Sequence, residues 1–241
     1  MRPGPVVGFD LDMTLVDSAA GIEATLRLAL AEHGVTVGGA DVWPWIGMPL
    51  ADTLQALAPA ADGLAIAARY RELYADVGVP LTGLLPGALE ALAAIRAAGG
   101  TVFVVSAKAE PGVREVLERV GLVDPVASDA AQVDGVRLDG AARVDGAARV
   151  DGFVGGLFAA EKGEWLRAAH ADIYVGDHPG DVEAARVAGA VAVAVATGPV
   201  SADQLDAAGA DIVLADLREF AGWLDRWLDQ LPHIRAGRRA G

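Results

Sequence analysis

The stretch VVGFDLDMT, residues 6–14, decides the fold class. Its first four residues are apolar or small, which is typical of a strand buried on both faces of a parallel sheet. Asp10 follows directly, and Asp12 lies two residues further on. Two neighbouring carboxylates at a buried strand end are costly as structure alone, because each disfavours ionisation of the other. The stretch therefore predicts a first core strand with a functional acidic site at its end.

Apolar runs of the same kind recur through the rest of the chain, at residues 101–105, 173–175, 191–196 and 212–214. Helical patterns lie between them, and two of these open with a proline just inside, at Pro111 and Pro179. Strands that alternate with helices predict an α/β fold with a Rossmann-like, doubly wound parallel sheet and helices on both faces. Ligands of such sheets bind beyond the carboxyl ends of the strands.

Residues 17–85 break this alternation. Helical patterns run from Ser18 to about His33 and through residues 50–57 and 64–74, and nothing there indicates a parallel strand. We therefore expect a small all-helical cap at 17–85, inserted after the first strand, and an α/β core made of residues 1–16 and 86–241. Pro86 and Gly87 at the return are candidate hinge residues, because proline fixes and glycine frees the backbone.

One segment of the expected core, residues 134–152, has low complexity. The hexapeptide AARVDG occurs twice in succession, at 141–146 and 147–152, and further Asp-Gly pairs precede it. Asp-Gly is a turn signal, so short hairpins are conceivable here. We interpret the segment as an expanded surface loop within the core, without chemistry of its own.

The composition excludes several classes of partner and chemistry. The formal net charge of the 241 residues is −14, which disfavours nucleic acid as a partner. Cysteine is absent, so thiolate chemistry and disulfides are excluded. No apolar stretch has the length of a membrane span and the N-terminus lacks a secretory signal pattern, so we expect a cytoplasmic protein with no membrane partner, either a monomer or a homodimer.

Chemistry-bearing residues follow the predicted strands. A cation beside Asp10 would let its carboxylate attack phosphorus, while Asp12 could protonate the leaving oxygen and later accept a proton from water. Ser106-Ala107-Lys108, at the end of the second core strand, offers a hydroxyl and backbone N–H groups to phosphate oxygens. Lys162 opens a helix, where a cation opposes the helix dipole, so function explains it better than stability.

A second acidic pair lies in the segment YVGDHPGD, residues 174–181. Asp177 comes directly after a predicted strand, and we expect it to join Asp10 as an oxygen ligand of Mg²⁺. Asp181 lies about one helical turn further on, suited to a water-mediated metal contact or an ion pair with Lys162. His178 is expected to be a structural or rim residue.

In this order the motifs resemble those of the haloacid dehalogenase superfamily, namely its phosphoglycolate phosphatase-like branch with a helical cap after the first strand. The matching positions, in chain order, are Asp10, Asp12, Thr14, Ser106, Lys162, Gly176, Asp177 and Asp181. The resemblance implies hydrolysis of a small phosphorylated metabolite through a phosphorylated Asp10, with Asp12 as acid/base.

The resemblance also implies which residues bind the metal ion and which bind the phosphoryl group. The side chains of Asp10 and Asp177 and the backbone carbonyl of Asp12 would bind Mg²⁺, with Asp181 nearby. Thr14, Ser106, Ala107 and one of two lysines would contact the phosphoryl group. Lys108 competes with Lys162 for that task, and we favour Lys162. Met13 replaces the glycine usual after the second aspartate, so we expect a narrower site and a substrate that can differ from phosphoglycolate.

Three alternatives stay open. A phosphomutase would share every motif and differ in what its cap admits. A true dehalogenase attacks carbon and has no need of the acid at Asp12, which argues against it. A non-catalytic binding module is disfavoured by the full set of catalytic residues. The residues do not identify the substrate. The cap candidates for recognition are Trp43, Trp45, Ile46 and Met48, although tryptophan and methionine more often serve packing.

Overall fold

The structure is a computed structural model that describes residues 4–125, 130–133, 136–139 and 149–238. Its strands in chain order are β1 Val6–Phe9, β2 Val16–Asp17, β3 Gly83–Leu84, β4 Thr101–Val105, β5 Ala130–Val133, β6 Val136–Asp139, β7 Gly152–Val154, β8 Ile173–Gly176, β9 Val191–Val195 and β10 Ile212–Leu214. Six of them form one sheet in the order β10-β9-β8-β1-β4-β7. Every pairing in this sheet is parallel, which confirms the predicted fold class.

The helices in chain order are α1 Ala19–Glu32, α2 Gly39–Val42, α3 Leu50–Leu57, α4 Gly63–Val77, α5 Ala88–Ala97, α6 Glu110–Arg119, α7 Ala160–Ala168, α8 Pro179–Ala188, α9 Ala202–Ala207 and α10 Phe220–Arg238. Short 3-10 helices occur at Trp43–Trp45, Val79–Leu81 and Leu217–Glu219. No helix in the described part of the chain is both long and apolar enough to cross a membrane.

The sheet is covered on both faces. One apolar cluster joins Phe9 of β1 to Ile95 of α5 and Phe220 of α10, and a second joins Tyr174 of β8 to Leu166 of α7. All five side chains are essentially excluded from solvent. This two-sided burial is the reason that the strands are continuously apolar instead of alternating.

A helical insert containing α1–α4 lies between β1 and β4. It is joined to the sheet through a two-residue antiparallel ribbon, in which Val16 of β2 pairs with Leu84 of β3. The predicted helix at residues 18–33 is α1, and Gly34 behind it has a φ of 76°, where glycine carries no steric penalty. Ser18 precedes α1, but its hydroxyl makes no capping hydrogen bond.

Part of the low-complexity segment lies outside the described residues, including 141–148 of the repeat. β5 lies directly before the segment and pairs antiparallel with β6, which lies inside it. Behind it the chain is integrated into the core: Val150 is buried, and the side chain of Asp151 accepts a hydrogen bond from the backbone N–H of Val102 at 2.7 Å. Gly152, the last residue of the expected loop, begins the edge strand β7, which pairs with β4.

Candidate active site

Three adjacent strands deliver the predicted site residues to one edge of the sheet. Asp10 follows β1, Ser106 follows β4 and Asp177 follows β8, and β1 lies between the other two strands. The backbone N–H of Asp10 donates to the carbonyl of Val175 at 2.8 Å, which extends the β1–β8 ladder by one bond. β4 and β7 lie on one side of β1, and β8, β9 and β10 lie on the other, so the strand order reverses at β1. Ligands of such folds bind at this switch point.

Asp10, Asp177 and Asp181 form a buried carboxylate cluster. One oxygen from each lies within 4.8 Å of the others, and all three residues are buried. The separation and the purely oxygen donor set suit Mg²⁺, which binds carboxylates and keeps several waters. These three residues could therefore hold a metal ion. Thr14, fully buried, donates its hydroxyl to Asp177 Oδ1 at 3.3 Å and so orients one of the carboxylates.

Lys162 connects two members of the cluster. Its Nζ lies 2.9 Å from Asp10 Oδ1 and 2.7 Å from Asp181 Oδ1, and its side chain is 3% exposed. Burial by itself lowers the pKa of Lys162, but the two carboxylates outweigh it and hold that pKa well above its usual value. The ammonium group is therefore charged, in the first turn of α7, where the helix dipole alone would disfavour it.

One ammonium group does not neutralise three carboxylates. The pKa of Asp10 is raised from 3.8 to about 7. Burial is the largest cause, the charges of Asp181 and Asp12 act in the same direction, and Lys162 opposes them. Burial, followed by repulsion from Asp10 and Asp181, also raises the pKa of Asp177 well above its usual value. A divalent cation would remove this electrostatic penalty, so the donor set and its charge fit the metal that the sequence predicts.

Asp12 belongs to a second, neighbouring pair. Its Oδ2 lies 3.2 Å from Lys108 Nζ, and its buried Oδ1 has no hydrogen-bond partner among the described residues. Burial lowers the pKa of Lys108, but Asp12, Tyr74 and Tyr70 together outweigh it, so that pKa is raised well above its usual value. The two lysines are thus divided between the two aspartates: Lys162 contacts Asp10 and Lys108 contacts Asp12.

The backbone is unusual at Met13, which directly follows Asp12. Its φ is 56°, in the left-handed region that non-glycine residues seldom occupy. The Met13 N–H donates to the carbonyl of Val16 at 2.8 Å, and its carbonyl accepts from the Thr197 hydroxyl. The Met13 side chain packs in the apolar core. It does not line the cavity described below, so it does not narrow that cavity.

The remaining predicted residues have local partners. The Ser106 hydroxyl is buried and accepts a hydrogen bond from the Lys108 N–H at 3.3 Å. His178 Nδ1 accepts from the Gly180 N–H at 3.0 Å, so His178 caps α8. Burial lowers the pKa of His178, which favours the neutral ring that such a cap requires. Ala107 lines the neighbouring cavity.

Two residues that the sequence reading missed are Thr197 and Gly198, which follow β9. A Cβ atom at Gly198 would collide with Asp177 Oδ2 and come within 3.3 Å of Met13 Cβ. Only glycine therefore permits this close approach of backbone to the carboxylate. A signal was present, because Thr197 and Gly198 directly follow an apolar strand, at the sheet edge where the other site residues lie.

A cavity of about 380 Å³ lies between the helical insert and the core, beside Asp12. The core contributes Asp12, Lys108 and residues of α6, and the insert contributes residues of α1–α4 and of the segment 45–49. Neither Asp10 nor Ser106 is among the lining residues. Asp12 thus separates the carboxylate cluster from a larger, mainly apolar space.

Comparisons with known proteins agree with this arrangement. The family model for haloacid dehalogenase-like hydrolases matches residues 7–186. Phosphoglycolate phosphatase from Rhodospirillum rubrum is 32% identical over 229 residues, covering 90% of this chain and 89% of the relative. Tyrosine-protein kinase PtkA from Mycobacterium tuberculosis is 30% identical over 223 residues, covering 90% and 72%. The solved structure of a haloacid dehalogenase-like family hydrolase from Streptococcus pneumoniae superposes with a TM-score of 0.71 at 19% identity, covering 91% of this chain and 98% of that one.

Proposed function

The chain belongs to the haloacid dehalogenase-like hydrolases, and from this we propose that it is a magnesium-dependent phosphatase that hydrolyses a small phosphate monoester through a phosphorylated Asp10. The observation that carries the proposal is the contact of Lys162 with both Asp10 and Asp181 inside a buried carboxylate cluster. Three carboxylates against one ammonium group make a site that attracts a divalent cation. Asp10, Asp177 and Asp181 would hold Mg²⁺, together with the backbone carbonyl of Asp12.

When bound, the cation would offset the negative charge between carboxylate and phosphate. The residues of the chain then divide the work. Lys162 holds the carboxylate of Asp10 in place and contributes positive charge beside the attacked phosphoryl group. The hydroxyl of Ser106 and the N–H groups that follow β4 lie at the same sheet edge, where phosphate oxygens would be held.

The first step forms a bond between an Asp10 oxygen and phosphorus and breaks the bond between phosphorus and the alcohol oxygen. The leaving alcohol takes a proton from Asp12. In the second step Asp12 accepts a proton from water, the water oxygen bonds to phosphorus, and the bond to Asp10 breaks, which releases inorganic phosphate. Asp12 suits this role because Lys108 holds its Oδ2, its Oδ1 has no hydrogen-bond partner among the described residues, and the residue lines the cavity.

The helical insert is proposed to act as a cap, with residues 17–85 forming the cap and 1–16 and 86–241 the core. The β2–β3 ribbon is the natural pivot, since it is the short paired connection between the two. Closure of such a segment over the substrate excludes competing water from the first step.

The test is release of inorganic phosphate from a panel of phosphorylated metabolites, with MgCl₂ or with EDTA. Phosphoglycolate belongs in the panel because the Rhodospirillum rubrum relative bears that name. Release in amounts equal to the ester consumed, and only with magnesium, is expected. A product phosphorylated on another hydroxyl, without inorganic phosphate, would instead indicate a phosphomutase or a kinase, the activity named for the mycobacterial relative. No magnesium-dependent reaction with any ester would refute the proposal.

A further inference from the structure

The cavity that Asp12 lines indicates where the leaving alcohol would lie. An acid that protonates the leaving oxygen has to be within hydrogen-bond reach of it. Asp10 attacks from the opposite side of phosphorus, because attacking and leaving oxygens are roughly in line. The cavity that Asp12 lines, and Asp10 does not, is therefore the space available to the alcohol part of the substrate.

This space is larger than a two-carbon alcohol requires. Its volume of about 380 Å³ falls in the range of about 300 to 1,000 Å³ that is usual for sites holding drug-sized molecules. Glycolate, the alcohol of phosphoglycolate, would leave most of the cavity unfilled. The size indicates a bulkier leaving group.

The lining indicates its chemistry. Two of the three tyrosines of the chain, Tyr70 and Tyr74, line the cavity with their rings 5.5 Å apart, and Trp45 lines it from the 3-10 helix. Aliphatic side chains such as Leu26 and Leu50 complete the wall. Surfaces of this kind bind apolar and ring-bearing groups, through burial of area and through ring contacts.

The charges of the lining do not favour a second anionic group. Lys108 is already paired with Asp12. The other charged residues of the lining are Arg71 and Glu115, one of each sign. A carboxylate on the alcohol, as in phosphoglycolate, would therefore meet no net positive lining.

We propose that this site prefers phosphate monoesters whose alcohol carries an apolar ring over esters of short acidic alcohols, and that Trp45 is a residue that determines this preference. The inference rests on the proposed phosphatase function and adds the class of substrate to it. Trp45 lines the cavity from the insert, so it would contact the alcohol without taking part in bond making or breaking.

Ethyl phosphate and 2-phenylethyl phosphate are a matched pair of probes, because both have a primary alcohol as leaving group and differ by one ring. We expect kcat/KM to be at least about tenfold higher for 2-phenylethyl phosphate, since even one buried methylene changes this ratio about 10- to 200-fold. Phosphoglycolate should rank with ethyl phosphate. Equal values for the two alkyl esters, or a clear preference for phosphoglycolate, would overturn the inference and leave the phosphatase function standing.

Two tryptophans of the same 3-10 helix supply the variant and its control. Trp45→Ala should lower the preference for the ring at least about fivefold, mainly through KM, with little change for ethyl phosphate. Trp45→Phe should retain most of it, and melting curves verify that both variants fold. Trp43 is 42% exposed and does not line the cavity, so Trp43→Ala should keep the full preference.

An equal loss on both alkyl esters in Trp45→Ala would show a structural role and overturn the assignment of Trp45. Absence of magnesium-dependent phosphate release from all three esters, with release from other metabolites of the panel, would overturn this inference alone. Absence of release from the whole panel would overturn the phosphatase function as well.

Discussion

The ammonium group of Lys108 lies 4.1 Å from the centre of the Tyr74 ring. Tyr74 belongs to α4 of the helical insert, whereas Lys108 follows β4 of the core. The same ammonium group lies 3.2 Å from Asp12 Oδ2. A single lysine thus connects the position of the insert to the carboxylate proposed as acid and base.

Removing the ring face at Tyr74 should impair this connection. A cation over an aromatic ring contributes about 0.5 to 2 kcal/mol, so Tyr74→Leu should lower kcat for ethyl phosphate by about 3- to 30-fold, because Lys108 then holds Asp12 less firmly. Tyr74→Phe keeps the ring and should stay within about twofold of the parent, as expected if the ring face is what matters. Steady-state kinetics on the three proteins decide, and a Phe variant as impaired as the Leu variant would contradict the role of the ring.

Replacement of the proposed nucleophile should abolish turnover without unfolding the protein. In Asp10→Asn the side chain keeps its shape but loses its nucleophilic charge, and we expect kcat to fall at least about 10⁴-fold. Magnesium binding, followed by calorimetry, should survive in weakened form through Asp177 and Asp181. Asp203→Asn, an exposed change in α9, is the control and should be fully active. Substantial activity in Asp10→Asn would exclude Asp10 as nucleophile.

The raised pKa of Asp10 predicts a pH-dependent loss of stability in the metal-free protein. Between pH 3.8 and about 7 the unfolded chain has released the Asp10 proton while the folded chain retains it. The folded state then binds more protons, so the free energy of unfolding falls as pH rises through this window and levels off above it. A shift of this size corresponds to on the order of 4 kcal/mol.

Urea titrations of the parent and Asp10→Asn in EDTA, from pH 4 to 8, measure this effect. The variant should gain stability relative to the parent as pH rises to about 7. Addition of MgCl₂ at pH 8 should reduce the difference, because a bound cation stabilises the ionised carboxylates. A stability difference that is independent of pH would contradict the burial argument for Asp10.

Gly198 offers a test of how closely Asp177 is confined. In Gly198→Ala the new methyl group would collide with the Asp177 carboxylate, so the carboxylate has to move. We expect magnesium affinity and kcat/KM each to fall at least about tenfold, as for other changes that displace metal-orienting groups. Gly222→Ala, in α10, is the control, since a Cβ there makes only an ordinary contact of 3.6 Å with the Arg226 guanidinium group. Unchanged magnesium affinity in Gly198→Ala would contradict the metal-binding role of Asp177.

The two lysines should differ in their effects on turnover. Lys162→Ala leaves Asp10 and Asp181 without their cation, and kcat should fall at least about 100-fold. Breaking a buried ion pair on one side also destabilises a protein by about 3 to 5 kcal/mol, which urea unfolding in EDTA would measure. Lys108→Ala should lower kcat less, because Lys108 is paired with Asp12 and not with the proposed nucleophile Asp10. The reverse order would assign the phosphoryl group to Lys108.

Much of the fold follows from local sequence. The strands at Val6–Phe9, Thr101–Val105 and Ile212–Leu214 were predictable to the residue because burial on both faces requires unbroken apolar runs. The edge strand β7 was not, since Gly152–Val154 comes directly after a repeat rich in turn signals. Only its pairing with β4, which is distant in sequence, makes it a strand.

The site divides in the same way. Asp10 and Asp177 were predictable because each directly ends a strand, and parallel strands bring their ends to one edge. The division of Lys162 and Lys108 between Asp10 and Asp12 depends on how α7 and the β4 loop pack, which no local pattern encodes. The contact of Tyr74 with Lys108 needs the insert to lie against the core, so it becomes visible only in three dimensions.

The antiparallel ribbon at Val16 and Leu84 has a consequence for how such a protein can diversify. The insert leaves the core at β2 and returns to it at β3, which pair with each other. The Cα atoms of paired residues in such strands are about 5 Å apart. The order and spacing of the sheet strands therefore do not depend on how many residues the excursion contains. Exchange of one helical insert for another at this junction would therefore change the alcohol that the proposed phosphatase accepts and leave its site at the sheet edge as it is.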